Sequence, residues 1–459
     1  MHARNYFSNP ILNSIPPDQV EEQVRILQEQ AINRQITYCY QESPFYRRKL
    51  DEAGAKPQDI RTMDDLRALP VLMTKEDERQ SVQESMEHLG HPFGLHLCAP
   101  LNKLYLTGTT SGTTGTPTFT YTFTKNDIEL IGRGLGFRLA FNGVGEGDRV
   151  LFIFALGIYA TTMTLWGLRN LGALPIDVDA RAGSELMLRF ADMTRPHYLM
   201  CTPSLAAYLL EKAPSVINKE MGELKLKGIM LTGEIGVSIP ELKAKLESGY
   251  GCRAYDYWAP AGHAIAISCD ADEYQGMHGT SPELCTSFHD LVDPVTRQPV
   301  PMENGVIGEM VITSLKREAM PLLKYAYGDV VQIFTEPCPA CGFPGRRMKL
   351  VGRSDDMLVV KGVNVYPAAI RNIISSFAPQ VTGEMRIVLH EPPPRVVPPM
   401  KIKLEYGQGT SKAALTDLGQ RISKVLHDQL KIRPEIVWVD PGTLEKSTRK
   451  THIFEKAYK

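Results

Sequence analysis

A segment rich in glycine and threonine, TGTTSGTTGTP at residues 107–117, is a candidate for ligand chemistry in this sequence. Flexible linkers are usually rich in glycine and serine, whereas threonine is β-branched and stiff at χ1. Small residues and hydroxyls in one loop can instead surround a phosphate with backbone N–H groups and side-chain donors. It is not a Walker loop, because no Gly-Lys-Ser/Thr follows at the required offset. The segment lies between two predicted strands, KLYL and TFTYTF, so a plain hairpin loop is the alternative interpretation.

A second candidate site combines CPAC, which holds Cys338 and Cys341, with CDADEYQGMH, which holds Cys269 and His278. Three thiolates and one imidazole are a common ligand set for structural zinc. A redox C-x-x-C pair is one alternative, but no thioredoxin-like βαβ pattern surrounds it, and two unpaired thiols are the other. The pattern favours a Cys3His zinc site.

Three charged segments are also candidates. YAYGDVV places Asp329 in a predicted turn between strands, where aspartate is common for structural reasons. VGRSDDMLVVKGVNVYP contains Arg353 and Asp355 at a change in sequence character; it is either a solvated turn or a hinge that absorbs a φ/ψ change. LEKSTRKTHIFEK carries Lys446 and Lys450, which by themselves indicate a solvated basic tail.

Composition narrows the class of protein. The chain has 459 residues, 43% hydrophobic and 22% charged, which is typical of a globular protein with more than one core. A net charge of −1 gives no electrostatic footprint for nucleic acid or for an anionic membrane surface. The first thirty residues lack the apolar region of a secretory signal, and the most apolar stretch, from residue 151, is interrupted by glycines and threonines. Eight unevenly spaced cysteines do not form a secreted disulfide framework. We therefore expect a cytoplasmic protein.

The predicted elements give an α/β fold. Residues 18–55 show helical periodicity with a break at SPF. From about residue 104 to 330, short apolar runs alternate with helical segments, and each run ends in a turn rich in glycine, threonine or serine. This alternation indicates α/β layering with ligand-binding turns at strand ends. After residues 353–356 the pattern becomes that of a small α+β unit. We predict a large N-terminal domain at residues 1–354 and a small C-terminal domain at 355–459.

The order of these segments resembles that of the phenylacetate-CoA ligase branch of the adenylate-forming (acyl-CoA synthetase) enzymes over nearly the whole chain. SPFYRRKLDEAGAKPQDIRTMDDLRALPVLMTKED is similar to the N-terminal signature of that branch, and TSGTTGTP to its phosphate loop. CTPSLAAYL and KGIMLTGE follow in the expected places, and LLKYAYGD and GRSDDMLVVKGVNVYP resemble the ribose and hinge motifs. The resemblance implies an adenylate-forming N-terminal domain of several subdomains and a small, mobile α+β C-terminal domain.

The resemblance also implies an activity. An acid attacks the α-phosphate of MgATP to form an acyl-adenylate, and the thiol of coenzyme A then attacks the activated carbonyl. Lys450 would be the catalytic lysine, with Lys446 as the fallback, and Asp355 would be the hinge. Asp329 would bind the ribose, Arg353 the ribose or a phosphate, and the remaining residues would complete the ATP site: Ser111, Gly112, Thr113, Thr114, Gly115, Gly233, Glu234, Asp256 and Trp258.

Three positions depart from the family pattern. Thr116 stands where the phosphate loop usually has lysine, and Arg449 replaces the glycine before the catalytic lysine. The magnesium-binding glutamate is absent. Its place is taken by Gly262 when the motif is counted forward from Asp256, and by Ala259 when it is counted back from Cys269. An impaired relative that binds nucleotide without turnover therefore stays an alternative, as does an adenylating enzyme with an acceptor other than coenzyme A.

The substrate and cofactors follow from the resemblance as well. Phe154, Tyr159 and Tyr257 would line the acid pocket together with Trp258. An aryl or arylacetic acid is favoured, and a short branched or hydroxylated acid is the alternative. The implied cofactors are ATP, Mg²⁺ and coenzyme A, with structural Zn²⁺ on the cysteine set; a homodimer is implied, and no nucleic-acid or membrane partner is expected.

Overall fold

The structure is a computed structural model that describes residues 6–7, 10–109, 118–156, 161–259, 266–279, 290–361, 363–444 and 453–458. Its helices are α1 Pro10–Ser14, α2 Val20–Glu42, α3 Pro44–Glu52, α4 Met63–Ala68, α5 Lys75–Leu89, α6 Lys125–Phe141, α7 Thr161–Asn170, α8 Ser184–Thr194, α9 Pro203–Ile217, α10 Pro240–Tyr250, α11 Pro367–Ser375 and α12 Leu415–Leu430.

The strands up to the predicted domain boundary are β1 Met73–Thr74, β2 Leu104–Gly108, β3 Tyr121–Thr124, β4 Arg149–Phe154, β5 Leu174–Asp179, β6 Tyr198–Cys201, β7 Gly228–Leu231, β8 Arg253–Trp258, β9 Ala266–Ser268, β10 Met277–Gly279, β11 Leu291–Val292, β12 Ile307–Ile312, β13 Tyr325–Phe334 and β14 Arg347–Arg353. The strands after it are β15 Leu358–Val360, β16 Val363–Val365, β17 Val381–Leu389, β18 Arg395–Val396, β19 Lys401–Tyr406, β20 Glu435–Val439 and β21 Phe454–Lys456.

The N-terminal helices form where the periodicity predicts them. α2 ends at the break before Ser43, whose hydroxyl accepts a hydrogen bond from the Tyr46 backbone N–H and caps α3. Pro44 occupies the first turn of α3, where its missing N–H costs nothing. The prediction of two helices separated at SPF is confirmed.

The main sheet is mixed and joins twelve strands of the described residues. Its order is β11-β12-β13-β14-β10-β9-β8-β7-β6-β4-β5, and β1 pairs with β13 in parallel. The pairs among β4, β5, β6, β7 and β8 are parallel, so β4, β7 and β8 present their carboxyl ends at one edge. That edge is where α/β proteins place ligand sites. The predicted α/β fold class is confirmed.

The polypeptide after β14 builds separate sheets. One has the order β16-β15-β18 and the other β20-β19-β17-β21, and a single apolar cluster between Leu358 and Ile432 packs them with α11 and α12. β18 is a two-residue strand within the proline-rich segment EPPPRVVPPM. The boundary between residues 354 and 355 stays a prediction.

The predicted strands around the glycine-threonine loop pair with each other. β2 and β3 are antiparallel, with Leu104 opposite Thr124 and Gly108 opposite Tyr121. The prediction of a strand on each side of the loop is confirmed, while loop residues 110–117 lie outside the described part.

None of the helices in the described ranges is both long enough and apolar enough to cross a membrane.

Candidate active site

The predicted ribose carboxylate lies at a junction of three strands. Asp329 on β13 is opposite Arg353 in the β13–β14 register, and it is 6% exposed. Its Oδ1 accepts a hydrogen bond from Arg353 Nη1 at 2.5 Å, and its Oδ2 accepts one from Trp258 Nε1, at the end of β8, at 2.8 Å. Each oxygen keeps a second lone pair. The tertiary structure therefore places two predicted site residues, Trp258 and Arg353, around a third, the buried Asp329.

A chain of charges continues from this anion to the hinge. Arg353 donates to Asp355 from Nε at 2.9 Å and from Nη2 at 3.1 Å, and Lys75 donates to the same carboxylate at 2.8 Å. Burial lowers the pKa of Arg353, but Asp329 and Asp355 outweigh it and raise this pKa above its usual value. Burial likewise raises the pKa of Asp355, yet Arg353 and Lys75 hold it well below its usual range. Arg353 and Asp355 are therefore ionised at neutral pH, whereas burial and the nearby Arg353 guanidinium lower the pKa of Lys75 against the opposing effect of the Asp355 carboxylate.

Gly328 is required for this arrangement. It has φ +101°, and a Cβ there would lie 2.7 Å from Arg353 Nη2. A side chain would both strain the backbone and push the guanidinium away from Asp329. The glycine before the ribose aspartate thus keeps the arginine in place.

The residues predicted to line the adenine slot follow neighbouring strands. Gly233 and Glu234 come directly after β7, and Trp258 ends the adjacent parallel strand β8. Glu234 Oε1 accepts a hydrogen bond at 2.7 Å from the Ser204 backbone N–H at the start of α9. The three residues therefore share one edge of the sheet, while their contact with a nucleotide stays a prediction.

Asp256 is enclosed within the protein. Its backbone N–H donates to Ser268 Oγ at 2.9 Å, and Tyr274 donates its hydroxyl to Oδ2 at 2.7 Å. Burial raises the pKa of Asp256 to about 6, against the opposing hydrogen bond from Tyr274. The carboxylate is thus already bound by a donor of the protein, the Tyr274 hydroxyl. Its place in the ATP site stays a prediction.

This raised pKa predicts a pH-dependent stability. The folded-state pKa lies above the usual 3.8. Asp256 therefore makes its full contribution to the stability of the fold below pH 3.8, and this contribution is lost as pH rises through about 6. We expect Asp256→Asn to become progressively more stable than the wild type between pH 4.5 and 8, by about 2–3 kcal/mol at most. Urea unfolding at several pH values measures this. The exposed Glu273→Gln variant is the control, and a pH-independent difference for Asp256→Asn would contradict the prediction.

Two of the aromatic residues predicted for the acid pocket, Phe154 and Tyr257, lie in one apolar cluster, and Trp258 belongs to a neighbouring one. Phe154 packs against Phe152, with ring centroids 4.7 Å apart, and the Tyr257 hydroxyl lies 3.3 Å from Thr164 Oγ1. Phe154 ends β4 at the same sheet edge as β8. Their role in recognising the acid stays a prediction.

Several predicted residues lie outside the described ranges: Ser111, Gly112, Thr113, Thr114, Gly115, Thr116, Tyr159, Gly262, Lys446, Arg449 and Lys450. Their assignments remain those of the sequence.

Two charged residues of the site region were missed by sequence reasoning, and both lie on α5. Lys75 reaches Asp355, and Glu78 is fully buried, accepting hydrogen bonds from the Thr120 hydroxyl and, at 2.8 Å, from the Tyr325 hydroxyl. Glu78 thereby ties α5 to the segment that follows the glycine-threonine loop. The capping pattern at Thr74 marks the start of α5 in the sequence, but no sequence signal joins this helix to β13.

The four predicted metal ligands converge. The ligand atoms of Cys269, His278, Cys338 and Cys341 all lie within 4.8 Å of one another, and the His278 Nε2–Cys341 Sγ distance is 3.4 Å. The His278 Nδ1–Ile267 carbonyl distance is 3.3 Å, a contact that would leave Nε2 free for a metal. Three thiols and one oriented imidazole fit tetrahedral zinc.

Comparison with known proteins places this geometry in a class. The family described as the AMP-binding enzyme C-terminal domain matches residues 362–455. A solved 2-hydroxyisobutyryl-CoA ligase in the postadenylation state superimposes with a TM-score of 0.82 at 24% identity, over 99% of this chain and 93% of that one. The same ligase in the thioesterification state gives 0.66 at 25% identity, over 100% and 94%. The fold is that of an adenylate-forming enzyme.

Within this class, a phenylacetate-coenzyme A ligase of Thermus thermophilus is 29% identical over 457 residues, which cover 95% of this chain and 96% of that protein. The resemblance to the phenylacetate-CoA ligase branch of the adenylate-forming superfamily is confirmed.

Proposed function

We propose that this chain is an ATP-dependent, AMP-forming carboxylic acid–CoA ligase. In the first half-reaction an acid carboxylate attacks the α-phosphorus of ATP, forming an acyl-adenylate and releasing pyrophosphate. In the second, the thiolate of coenzyme A attacks the acyl carbonyl, forming a thioester and releasing AMP. The observation that carries the proposal is the buried Asp329 carboxylate, held between Trp258 and Arg353 beside the predicted hinge. The names of the relatives agree with this enzyme class.

The described residues suit the binding of the nucleotide. The free lone pairs of Asp329 would accept hydrogen bonds from the ribose diol, and Trp258 would stack on the base beside Gly233 and Glu234. Arg353 donates a hydrogen bond that holds the Asp329 carboxylate in position, so the acceptor is oriented before ATP binds. Binding to a preorganised acceptor saves the cost of ordering it.

Catalysis would rest on cations and donors from the loop and the C-terminal tail. The loop from Ser111 to Gly115 would hold the β- and γ-phosphates, and Lys450 would neutralise the charge that builds on the α-phosphoryl group. Neither Ala259 nor Gly262 has a side chain that can bind a cation, so we assign no protein ligand to magnesium.

The acid we favour is an aryl or arylacetic acid. Phe154, Tyr257 and Trp258 place aromatic rings near the carboxyl ends of β4 and β8, and two curated relatives carry the name phenylacetate-coenzyme A ligase. A short hydroxylated acid is the competing substrate, supported by the name of the structural relative.

We also propose that Cys269, His278, Cys338 and Cys341 hold a zinc ion with a structural role. The ion would cross-link the antiparallel pair β9 and β10, with Cys269 directly after β9 and His278 on β10, to the loop between β13 and β14. Four protein ligands close the coordination sphere, so no position is left for a substrate.

Pyrophosphate release tests the proposed function. Wild-type protein would be given MgATP and a panel of aryl, arylacetic and short hydroxy acids, with and without coenzyme A. We expect release that requires one acid and a thioester that forms only with coenzyme A. Acid-dependent release without any thioester would favour a different acceptor, and silence across the panel would favour an impaired, nucleotide-binding relative.

A further inference from the structure

We propose that Lys75 is a positioning residue that latches the hinge. Its ion pair with Asp355 would hold the small domain in the arrangement used for acyl-adenylate formation and would open before the thioester step. The proposal rests on the proposed function, because it assigns the two half-reactions to two arrangements of the hinge.

Lys75 is held at this place by the fold. It is the first residue of α5, and the preceding strand β1 pairs with β13 through Met73 opposite Tyr325 and Thr74 opposite Ala326. The Thr74–Asp77 capping box then fixes the direction of the helix. The ammonium lies 5.6 Å from the centre of the Tyr327 ring, beside the ribose-site strand. Lys75 is thus anchored to the large domain and points at the hinge.

Asp355 has two cationic partners of different character. Arg353 also binds the buried Asp329, so it belongs to the ribose site whatever the hinge does. Among the described residues, Lys75 donates a hydrogen bond to one carboxylate, that of Asp355. Asp355 stands at the predicted domain boundary, where a rotation changes the backbone angles and carries the carboxylate away from α5. Such a rotation would break the Lys75–Asp355 contact together with the two Arg353–Asp355 hydrogen bonds, after which Arg353 would keep its bond to Asp329.

The pair has the strength expected of a reversible latch. The Lys75 and Asp355 side chains are 35% and 47% exposed. Partly exposed ion pairs contribute modestly and are screened by salt. Such a contact can bias an equilibrium between two arrangements without preventing the exchange that turnover needs.

A second observation identifies the arrangement in which the pair occurs. The chain superimposes better on the postadenylation state of the 2-hydroxyisobutyryl-CoA ligase than on the thioesterification state of the same ligase, although both comparisons cover nearly all of this chain. Sequence identity is nearly equal in the two comparisons, at 24% and 25%, so the higher TM-score reflects the spatial arrangement of the chain and not a closer sequence. Tyr366 of the small domain also packs on Gly352, where a Cβ would lie 2.9 Å from the Tyr366 side chain. The Lys75–Asp355 pair therefore occurs in an arrangement closer to that of the postadenylation state than to that of the thioesterification state.

The test compares Lys75→Met, Lys75→Arg and wild type. The matched control is Lys49→Met, which breaks another partly exposed lysine–aspartate pair, with Asp77 on α5. Hydrogen–deuterium exchange of the hinge peptide 354–361 is measured without substrates. The two half-reactions are then measured separately, with phenylacetate and MgATP for the first and with supplied phenylacetyl-adenylate and coenzyme A for the second.

For Lys75→Met we expect hinge exchange about fivefold faster and adenylate formation slower by a similar factor, with an unchanged KM for ATP. Thioester formation from supplied adenylate should be no slower than in wild type. Lys75→Arg and Lys49→Met should match wild type. Unchanged hinge exchange in Lys75→Met would refute the latch. If the KM for ATP were higher as well, the result would indicate that Lys75 contacts the nucleotide instead. If wild type makes no adenylate from phenylacetate, that substrate fails, while the exchange comparison still decides the latch.

Discussion

Replacing Lys450 with alanine is expected to slow acyl-adenylate formation about 10²- to 10³-fold. The attack on the α-phosphorus builds negative charge on the phosphoryl oxygens, and the loss of one preorganised donor at such a position typically costs this factor. Thioester formation from supplied acyl-adenylate should change less than about threefold, because no phosphoryl group is attacked in that step. Single-turnover measurements of the two half-reactions separate these effects.

Lys446→Ala is the matched control, since Lys446 is the other lysine in LEKSTRK. It should keep near wild-type rates in both half-reactions. A large loss for Lys446→Ala with a normal rate for Lys450→Ala would exchange the two assignments. Equal slowing of both half-reactions by Lys450→Ala would instead indicate a general structural defect.

Loss of the proposed zinc ion from the cysteine cluster is expected to destabilise the protein by several kcal/mol, lowering Tm by about 5–10 °C. Cys338 is buried in the cluster that also contains Phe7 and Phe343. The Tyr6 hydroxyl donates to the Cys341 carbonyl at 2.5 Å, so the N-terminal segment depends on the same loop. We expect Cys338→Ser to lose bound zinc, to melt earlier and to become more sensitive to proteolysis near residues 6–7.

Elemental analysis and thermal unfolding test this prediction. Cys252→Ser is the control, because Cys252 lies outside the cluster and is only partly buried. It should keep the full zinc content. Wild-type protein produced with added zinc that carries no metal, or a Cys338→Ser variant with an unchanged Tm, would overturn the proposed zinc site.

The sequence by itself predicted the features that depend on local pattern. The break at Ser43 and the strands β2 and β3 on either side of the glycine-threonine loop follow from periodicity and turn residues, which act between neighbouring residues. The cysteine set was also predictable, because few ligand types and spacings suit zinc. The resemblance placed Asp329, Arg353 and Asp355 in their motifs before any geometry was known.

Only the tertiary structure decided which of these residues meet. The contacts of Lys75 with Asp355 and of Glu78 with Thr120 join residues 280 and 42 positions apart. They depend on the parallel pairing of β1 with β13 and on the way α5 leaves that pair. The hydrogen bond from Tyr274 to the enclosed Asp256 likewise depends on where the segment between β9 and β10 packs against β8. Periodicity indicates which face of an element is buried. The residues that face each other across the sheet are set by packing between distant segments, and the hinge residue Asp355 meets Lys75 only through that packing.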